Sequence, residues 1–252
     1  MKTISKFLFF IALVSLSLSS CKKDDDGYSL NDVWRSIATV ENSENESLFF
    51  FTSDNGRRMW TAATLIPQYK PKDGQRIIAY YTILSDGPGN GSYQHDVRLN
   101  DAYTILTKGI FNITPATQDS IGHDPVKVEE IWIGSDYLNI TFTYRGNDQI
   151  HFINLVSDEL IEYNDGKTHL EFRHNANSDA QTYSFSGIVS FDLKSLKKNG
   201  VESLPLVIHV LESEGSDKKT YELNYNFSAK ATSNIETLFP VPVAEEFEGE
   251  FL

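Results

Sequence analysis

Apolar and polar residues alternate along much of this chain, as expected of β-strands. The clearest run covers residues 138–145, where Leu, Ile, Phe and Tyr alternate with Asn, Thr and Arg. A second run covers residues 183–191. Because successive side chains of a strand point to opposite faces, this alternation predicts strands with one apolar face and one polar face. The sequence therefore predicts an all-β fold, with one helical turn at residues 192–198.

Turn signals divide the strands into two groups. The Asn55-Gly56 pair separates two apolar runs and predicts a hairpin with a type I′ turn, which needs positive φ at both central residues. About five short strands in residues 31–118 favour an OB-like small barrel, because closure removes exposed strand edges. Residues 119–123 are interpreted as a linker. About seven longer strands in residues 124–240 then favour an antiparallel β-sandwich.

The N-terminus has a different pattern. Two lysines precede an apolar run at residues 7–18, which is too short to span a bilayer and is typical of a signal peptide at residues 1–20. The run ends in Leu-Ser-Ser-Cys, which resembles the lipobox of bacterial lipoproteins. That resemblance implies cleavage between Ser20 and Cys21 and a lipid on Cys21. An ordinary signal peptide with an incidental cysteine is the alternative, and the position of the only cysteine in the chain argues against it.

Polar segments border the predicted domains. Residues 21–30 hold two lysines followed by three aspartates, and they predict a flexible tether. Lysine followed by aspartates resembles the surface-export tag of some Gram-negative lipoproteins, with a plain solvated spacer as the alternative. Ser120 lies in a short motif that resembles an O-glycosylation acceptor. Residues 241–252 predict a frayed acidic tail. We therefore expect an outer-membrane lipoprotein, facing either the periplasm or the exterior.

Charge and composition limit the possible chemistry. The formal net charge is -13, and loss of a signal peptide with two lysines and no acids would take it to -15. Such a surface repels phosphate backbones, so we expect no nucleic-acid partner, although OB barrels commonly bind nucleic acid. With Cys21 acylated, no thiol is left for a disulfide, a catalytic nucleophile or a thiolate metal site.

No known catalytic or metal-binding motif is present. The sequence lacks the Gly-x-Ser-x-Gly elbow of serine hydrolases, the His-Glu-x-x-His zinc motif and a carboxylate-rich calcium loop. The glycine-rich residues 87–91 lack the lysine and the helix of a phosphate loop. We therefore expect no catalytic residues, no cofactor and no metal. An envelope hydrolase is the alternative, and it would need a deep pocket lined by several of Asp148, His151, Glu171, Arg173 and His174.

Aromatic and polar side chains provide one candidate binding surface. Trp34, Trp60 and Tyr80 could form a stacking platform on the barrel. Arg173 and His174 form a compact polar pair in the second domain. Packing in a core or at an interface is the alternative for the aromatic residues, and hydrogen bonding within the sandwich is the alternative for the polar pair.

Several sequence blocks resemble the NigD-like lipoprotein family. In the first half they are YKPKDGQRIIAYYTILSD at residues 69–86 and ILTK at residues 105–108. In the second half they are FINLV at 152–156, LEFRHN at 170–175 and GIVSFDL at 187–193. The resemblance implies an N-terminal OB-like domain and a C-terminal β-sandwich, with no catalytic residues assigned.

The same resemblance guides the functional hypothesis. The family takes its name from a bacteriocin-associated operon and has been suggested to act in immunity. We therefore expect a non-enzymatic envelope lipoprotein, held to the membrane by the lipid on Cys21, that binds a partner. The partner is either a protein, such as a secreted toxin, or a surface glycan.

Overall fold

The structure is a computed structural model that describes residues 27–41, 44, 46–115, 117, 121–158, 160–227 and 237–239. The predicted signal peptide, the predicted lipid site at Cys21, Ser120 and the predicted acidic tail at 241–252 lie outside the described residues. Those four remain predictions. Within the described ranges, the search for a helix that is long and apolar enough to cross a bilayer gives none.

The described residues form fifteen strands and one short 3-10 helix, Lys194–Leu196, which lies within the predicted helical turn. The strands are β1 (Val33–Glu41), β2 (Phe50–Ser53), β3 (Arg58–Thr64), β4 (Arg76–Asp86), β5 (His95–Thr104), β6 (Leu106–Lys108), β7 (Ile110–Ile113), β8 (Lys127–Gly134), β9 (Tyr137–Gly146), β10 (Phe152–Asp158), β11 (Thr168–Asn175), β12 (Tyr183–Asp192), β13 (Ser203–Val210), β14 (Lys219–Asn226) and β15 (Thr237–Phe239).

The first domain is a closed five-stranded barrel. Its strands follow the order β1-β2-β3-β5-β4, and pairing of β1 with β4 closes the ring. Alternate residues point inward and form a core that includes Val40, Phe51, Met59, Ile77 and Leu99. The prediction of an OB-like barrel is confirmed.

The second domain is a sandwich of two sheets, β14-β13-β11-β10-β7 and β6-β12-β9-β8. Phe142, Leu155, Phe172 and Phe191 are buried between them, and the prediction of a β-sandwich is confirmed. The sheets also contain three parallel pairs, β7 with β10, β11 with β13 and β6 with β12. The pair β11 and β13 is parallel because β12, between them in sequence, lies in the other sheet. Two crossings between sheets return the chain in its original direction.

Three short strands lie in a different domain from the one that the sequence predicts for them. The sequence predicted a barrel up to residue 118, yet β6 and β7 pair with β12 and β10 of the sandwich. The sequence placed residues 124–240 in the sandwich, yet β15 pairs with β1 of the barrel. Strands of three or four residues are too short to show a period, so their sequence does not indicate which sheet they join.

The Asn55-Gly56 pair does form the β2–β3 hairpin, but its predicted type I′ turn is wrong. Gly56 has a φ of 84°, whereas Asn55 is not among the described residues with positive φ. The Asn55 side chain supports the loop instead, since its Oδ1 accepts hydrogen bonds from Ser53 Oγ at 2.5 Å and from the Arg57 backbone N–H at 3.1 Å. This loop contains Asp54, a central residue of the contact between the two domains.

Candidate functional site

A buried ion pair lies where the barrel meets the sandwich. Arg76, the first residue of β4, donates from Nη1 to Asp54 Oδ1 at 2.6 Å and from Nη2 to Asp54 Oδ2 at 2.9 Å. Arg76 is 1% exposed and Asp54 is 6% exposed. Two parallel hydrogen bonds match the planar guanidinium to the carboxylate, which is the strongest geometry available to such a pair.

Polar residues of the sandwich complete the network. Arg76 Nη2 donates to Asn139 Oδ1 at 3.0 Å, and Asn139 Nδ2 donates to Asp54 Oδ2 at 3.0 Å. Ser190, opposite Asn139 on β12, donates to the same Asn139 Oδ1 at 2.6 Å. The Tyr137 ring lies 4.4 Å from the guanidinium carbon. Hydrogen bonds between buried groups therefore hold the two domains together. We call Asp54, Arg76, Asn139 and Ser190 the junction network.

Local sequence makes this close approach possible. A Cβ on Gly134, at the end of β8, would lie 2.1 Å from Asp54 Oδ2, so only glycine lets the β8–β9 turn reach the barrel this closely. Beside the network, Ile37 and Ile78 of the barrel form a small apolar cluster with Trp132 of the sandwich. The ion pair and the apolar packing therefore stabilise the same contact between the two domains.

A cleft of about 420 Å³ opens beside the junction network, which contributes Asp54 to its floor. The barrel wall includes Ser53, Arg58 and Gln94, and the sandwich wall includes Ser135, Lys197 and Phe227. The two basic groups of the walls are paired: Arg58 Nε lies 2.7 Å from Glu41 Oε2, and Lys197 Nζ lies 2.7 Å from Asp136 Oδ1. The cleft therefore offers hydroxyl and amide groups with one aromatic ring, an arrangement suited to binding.

A row of aromatic rings lies on the barrel next to this cleft. The Phe50 ring is 4.6 Å from that of Trp60 and 5.5 Å from that of Tyr93, measured between centroids. The guanidinium carbon of Arg58 lies 4.0 Å from the centroid of the Phe50 ring. We call Phe50, Trp60 and Tyr93 the aromatic row. Because Arg58 also lines the cleft, the row extends the candidate surface outward from it.

The five residues of the predicted binding surface do not come together in the structure. Trp34 packs partly against the barrel core, Trp60 belongs to the aromatic row, and Tyr80 packs at the domain junction. Arg173 and His174 are consecutive on β11, so their side chains point to opposite faces of the sheet. Only Trp60 lies beside the cleft.

His174 belongs to a buried chain of hydrogen bonds at the end of the sandwich far from the barrel. His174 Nδ1 donates to the Pro125 carbonyl at 3.0 Å, and its Nε2 lies 2.7 Å from His151 Nδ1. His151 Nε2 lies 3.0 Å from Asp179 Oδ2. We call His174, His151 and Asp179 the inner histidine chain. Burial lowers the pKa of His174, and the neighbouring His151 lowers it further.

Acceptor groups lie at both ends of this chain. Burial opposes the ionisation of Asp179, but hydrogen bonds from the Asn147 and Asp148 backbone N–H groups and from His151 hold its pKa well below the usual range. The ionised carboxylate can only accept, so His151 Nε2 donates to it. The Pro125 carbonyl accepts a hydrogen bond from the Nδ1–H of His174, which leaves His174 Nε2 facing His151 Nδ1.

A second histidine chain of the same kind lies nearer the surface. His169 Nδ1 is 2.8 Å from His209 Nε2, and His169 Nε2 is 3.0 Å from both oxygens of Asp165. Tyr163 stacks on His169 with a centroid distance of 3.6 Å. Here the donors can all point one way, because His209 Nε2 can donate to His169 Nδ1 while His169 Nε2 donates to Asp165. We call His209, His169 and Asp165 the outer histidine chain.

Arg173 takes part in ion pairs on the outer face of its sheet. Arg173 Nη2 lies 2.9 Å from Glu171 Oε2, and Lys218 Nζ lies 2.5 Å from Glu171 Oε1. Burial raises the pKa of Glu171, but the hydrogen bonds from Lys218 and Arg173 outweigh it and lower that pKa overall. Arg173 Nε is buried without a partner. These contacts pair the charges of Arg173, Glu171 and Lys218 with one another. Arg173 does not line the cleft.

One of the five residues suggested for a catalytic pocket lines a pocket near the inner histidine chain. A pocket of about 240 Å³ near the inner histidine chain includes His174 but none of Asp148, His151, Glu171 and Arg173. In the ranges that the structure covers, no three His, Cys, Asp or Glu side chains are arranged to hold a metal ion.

Comparison with known proteins gives matches along most of the chain. Residues 37–105 match the model of the NigD-like N-terminal OB domain, and residues 109–225 match that of the NigD-like C-terminal β-sandwich domain. None of the curated proteins matches significantly.

Several solved structures share the fold. A protein called toxin-related from Parabacteroides distasonis is 36% identical, with a TM-score of 0.66 over 78% of this chain and 95% of that one. A protein of unknown function from Bacteroides vulgatus is 29% identical, with a TM-score of 0.68 over 82% of this chain and 95% of that one. A NigD-like immunity protein from Bacteroides caccae is 18% identical, with a TM-score of 0.59 over 79% and 98% of the two chains.

Proposed function

The chain belongs to the NigD-like family, and on that premise we propose that it is a non-enzymatic envelope lipoprotein that binds a partner at the cleft between its domains. The observation that carries this proposal is the junction network. Because buried hydrogen bonds connect Arg76 and Asp54 to Asn139, the two walls of the cleft are held in a fixed relation. A preformed surface loses less conformational entropy when a partner binds.

The chemistry of the described residues supports binding over catalysis. A catalytic site brings titratable groups together in a cleft with access to substrate. Here each charged group that lines the cleft is engaged in an ion pair: Arg58 with Glu41, Asp54 with Arg76, and Lys197 with Asp136. The inner histidine chain is buried, with His151 3% exposed and His174 1% exposed.

The proposed location rests on the N-terminal sequence. The Leu-Ser-Ser-Cys motif ending at Cys21 supports acylation and an outer-membrane anchor, facing the periplasm or the exterior. In this position the cleft would meet proteins and glycans of the envelope.

We propose a protein as the first candidate partner. The names of two relatives, one toxin-related and one an immunity protein, favour a secreted toxin as its class. A surface glycan is the second candidate. The aromatic row beside a cleft of hydroxyl and amide groups favours it, because sugar rings stack on aromatic faces while their hydroxyls form hydrogen bonds.

Capture experiments with two matched variants test this proposal. The mature chain, its Ser92→Trp variant and its Ser184→Trp variant would each be used to capture molecules from envelope extracts and culture medium. Ser92 lines the cleft, whereas Ser184 lines the pocket near the inner histidine chain. We expect a partner retained by wild type and Ser184→Trp and lost by Ser92→Trp.

The captured molecule distinguishes the two candidates. A secreted protein toxin supports the immunity role, and a polysaccharide supports the glycan-binding role. Equal capture by both tryptophan variants would place binding outside the cleft. Chemical turnover of the captured molecule by wild-type protein would contradict the non-enzymatic assignment.

A further inference from the structure

The segment that leads to the proposed lipid site is docked on the barrel. Tyr28 Oη donates to Asp86 Oδ1 at 2.5 Å, and its ring meets the His95 ring edge to face with centroids 5.6 Å apart. Two residues later, the Leu30 carbonyl lies 3.5 Å from Arg98 Nη2. The chain is therefore attached to the end of β4 and the start of β5 before it enters β1 at Val33.

This docking point lies beside the cleft. Asp86 and His95 are the residues that flank the β4–β5 loop. Ser92 and Gln94 of the same loop line the cleft, and the Gln94 side chain accepts a hydrogen bond from the Arg58 backbone N–H at 2.6 Å. The connection toward Cys21 therefore leaves the folded protein close to the mouth of the cleft.

The connection is shorter than the protein is wide. Seven peptide steps lead from Cys21 to Tyr28, and a fully extended chain of that length spans at most about 25 Å. A folded chain of this size has a diameter of roughly 40 Å, from the usual scaling of the radius of gyration. A tether shorter than the diameter prevents the far end of the protein from turning toward the membrane.

Without the Tyr28 contacts this restriction would weaken. When the Leu30 contact with Arg98 is lost together with them, the tether runs from Cys21 to Val33, and its twelve peptide steps could span about 40 Å. That length is comparable to the width of the folded protein. With Tyr28 docked, the anchored protein keeps a fixed orientation. Without this docking, it can rotate above the lipid.

We infer that Tyr28 fixes the orientation of the anchored protein, so that the β4–β5 end and the mouth of the cleft face the lipid surface. The opposite end, with the β9–β10 turn and the inner histidine chain, faces away from the membrane. A partner of the cleft is then a molecule present at that membrane surface. This inference rests on the proposed acylation of Cys21.

Energy transfer to labelled vesicles tests the orientation. Acylated protein would be incorporated into phosphatidylethanolamine–phosphatidylglycerol vesicles that carry an acceptor dye on the headgroups. Acylated Cys21 leaves an introduced cysteine as the only thiol, so a donor dye can be placed by Asn90→Cys in the β4–β5 loop or by Gln149→Cys in the β9–β10 turn. We expect transfer several-fold more efficient from position 90 than from position 149.

Two tyrosine variants separate the docking contact from general effects. Tyr28→Ala should bring the two transfer efficiencies together, because the longer tether lets the protein rotate. Tyr183→Ala serves as the matched control, since Tyr183 is exposed on the far end of the sandwich and should leave the difference unchanged.

Each contradictory result identifies what has failed. Flotation with the vesicles is measured first, and its absence would overturn both the proposed lipid anchor and the orientation. Flotation with equal transfer from positions 90 and 149 would overturn the orientation alone. A difference that survives Tyr28→Ala would show that Tyr28 does not set it.

Discussion

Two buried charged networks at opposite ends of the sandwich differ in whether their charges can change. At the barrel end, the junction network contains the Arg76 guanidinium, which stays protonated at any physiological pH. At the far end, the inner histidine chain contains the imidazole of His151 against the carboxylate of Asp179. Hydrogen bonds hold the pKa of the Asp179 carboxyl well below its usual range, so its negative charge is lost only in acid.

The difference shows that two networks with similar burial need not have the same structural role. A permanent ion pair with complete hydrogen bonds can join two domains under all conditions in which the protein folds. The inner histidine chain instead depends on the carboxylate of Asp179, which is protonated in acid. The junction network therefore suits a constant structural task, whereas the inner histidine chain links the β9–β10 turn to β11 in a pH-dependent way.

The largest effect is expected when the junction network loses its cation. Arg76→Met should lower the free energy of unfolding by about 3–5 kcal/mol, because Asp54 would remain buried without a partner for its charge. Urea unfolding followed by circular dichroism measures the change. Lys127→Met is the control, since Lys127 is exposed and its pair with Glu129 is worth about 0–1 kcal/mol. Equal losses in the two variants would contradict the importance of the network.

A single methyl group at the junction should have the next largest effect. Gly134→Ala places a Cβ against Asp54 and should cost about 1–3 kcal/mol, as overpacking of a well-packed site does. Gly109→Ala is the matched control, because nothing lies within 4 Å of its added Cβ, and its effect should stay within about 0.5 kcal/mol. Urea unfolding of both variants tests the prediction, and an unchanged stability of Gly134→Ala would count against the close approach of the domains.

The two histidine chains provide the third test. His151→Gln should lower the free energy of unfolding by about 1–3 kcal/mol, because the imidazole that joins buried His174 to Asp179 is lost. His169→Gln should cost less than about 1 kcal/mol, because its partner Asp165 has a side chain that is 44% exposed. A larger cost for His169→Gln than for His151→Gln would reverse the assignment of inner and outer chains.

The smallest effect concerns acid. The pKa of Asp179 is lower in the folded protein than in the unfolded chain. Its contribution to stability is therefore present above about pH 3.9, the unfolded value, and is lost as the pH falls toward the folded pKa. The difference in unfolding free energy between wild type and Asp179→Asn should shrink as the pH is lowered from 5 to below about 3. A difference that grows with acid would have the wrong sign.

Much of the fold could be predicted from the sequence, because long strands carry their own pattern. The alternation at residues 138–145 falls within β9, and the Asn55-Gly56 pair correctly located a hairpin. The type of that turn could not be predicted, because it depends on hydrogen bonds of the Asn55 side chain. The sheet partners of β6 and β7 could not be predicted either, since strands this short show no period.

The junction network could not be predicted from a single sequence. Arg76 begins an apolar strand, a position where a charged residue is usually solvated. Its partners Asp54 and Asn139 lie 22 and 63 residues away in the chain. Nothing local indicates that these residues meet or that the pair is buried. The aromatic row was found in part, since Trp60 was named while Phe50 and Tyr93 were not.

Hydrogen exchange measured at increasing urea concentration tests most directly whether the junction network makes the two domains unfold as one cooperative unit. Peptides from β4 in the barrel and from β9 in the sandwich would be followed separately by mass spectrometry. We predict that both lose protection at the same urea concentration in the wild-type protein, and at different concentrations in Arg76→Met. Separate loss of protection in the wild-type protein would contradict the account, because the cleft would then lie between two independent domains.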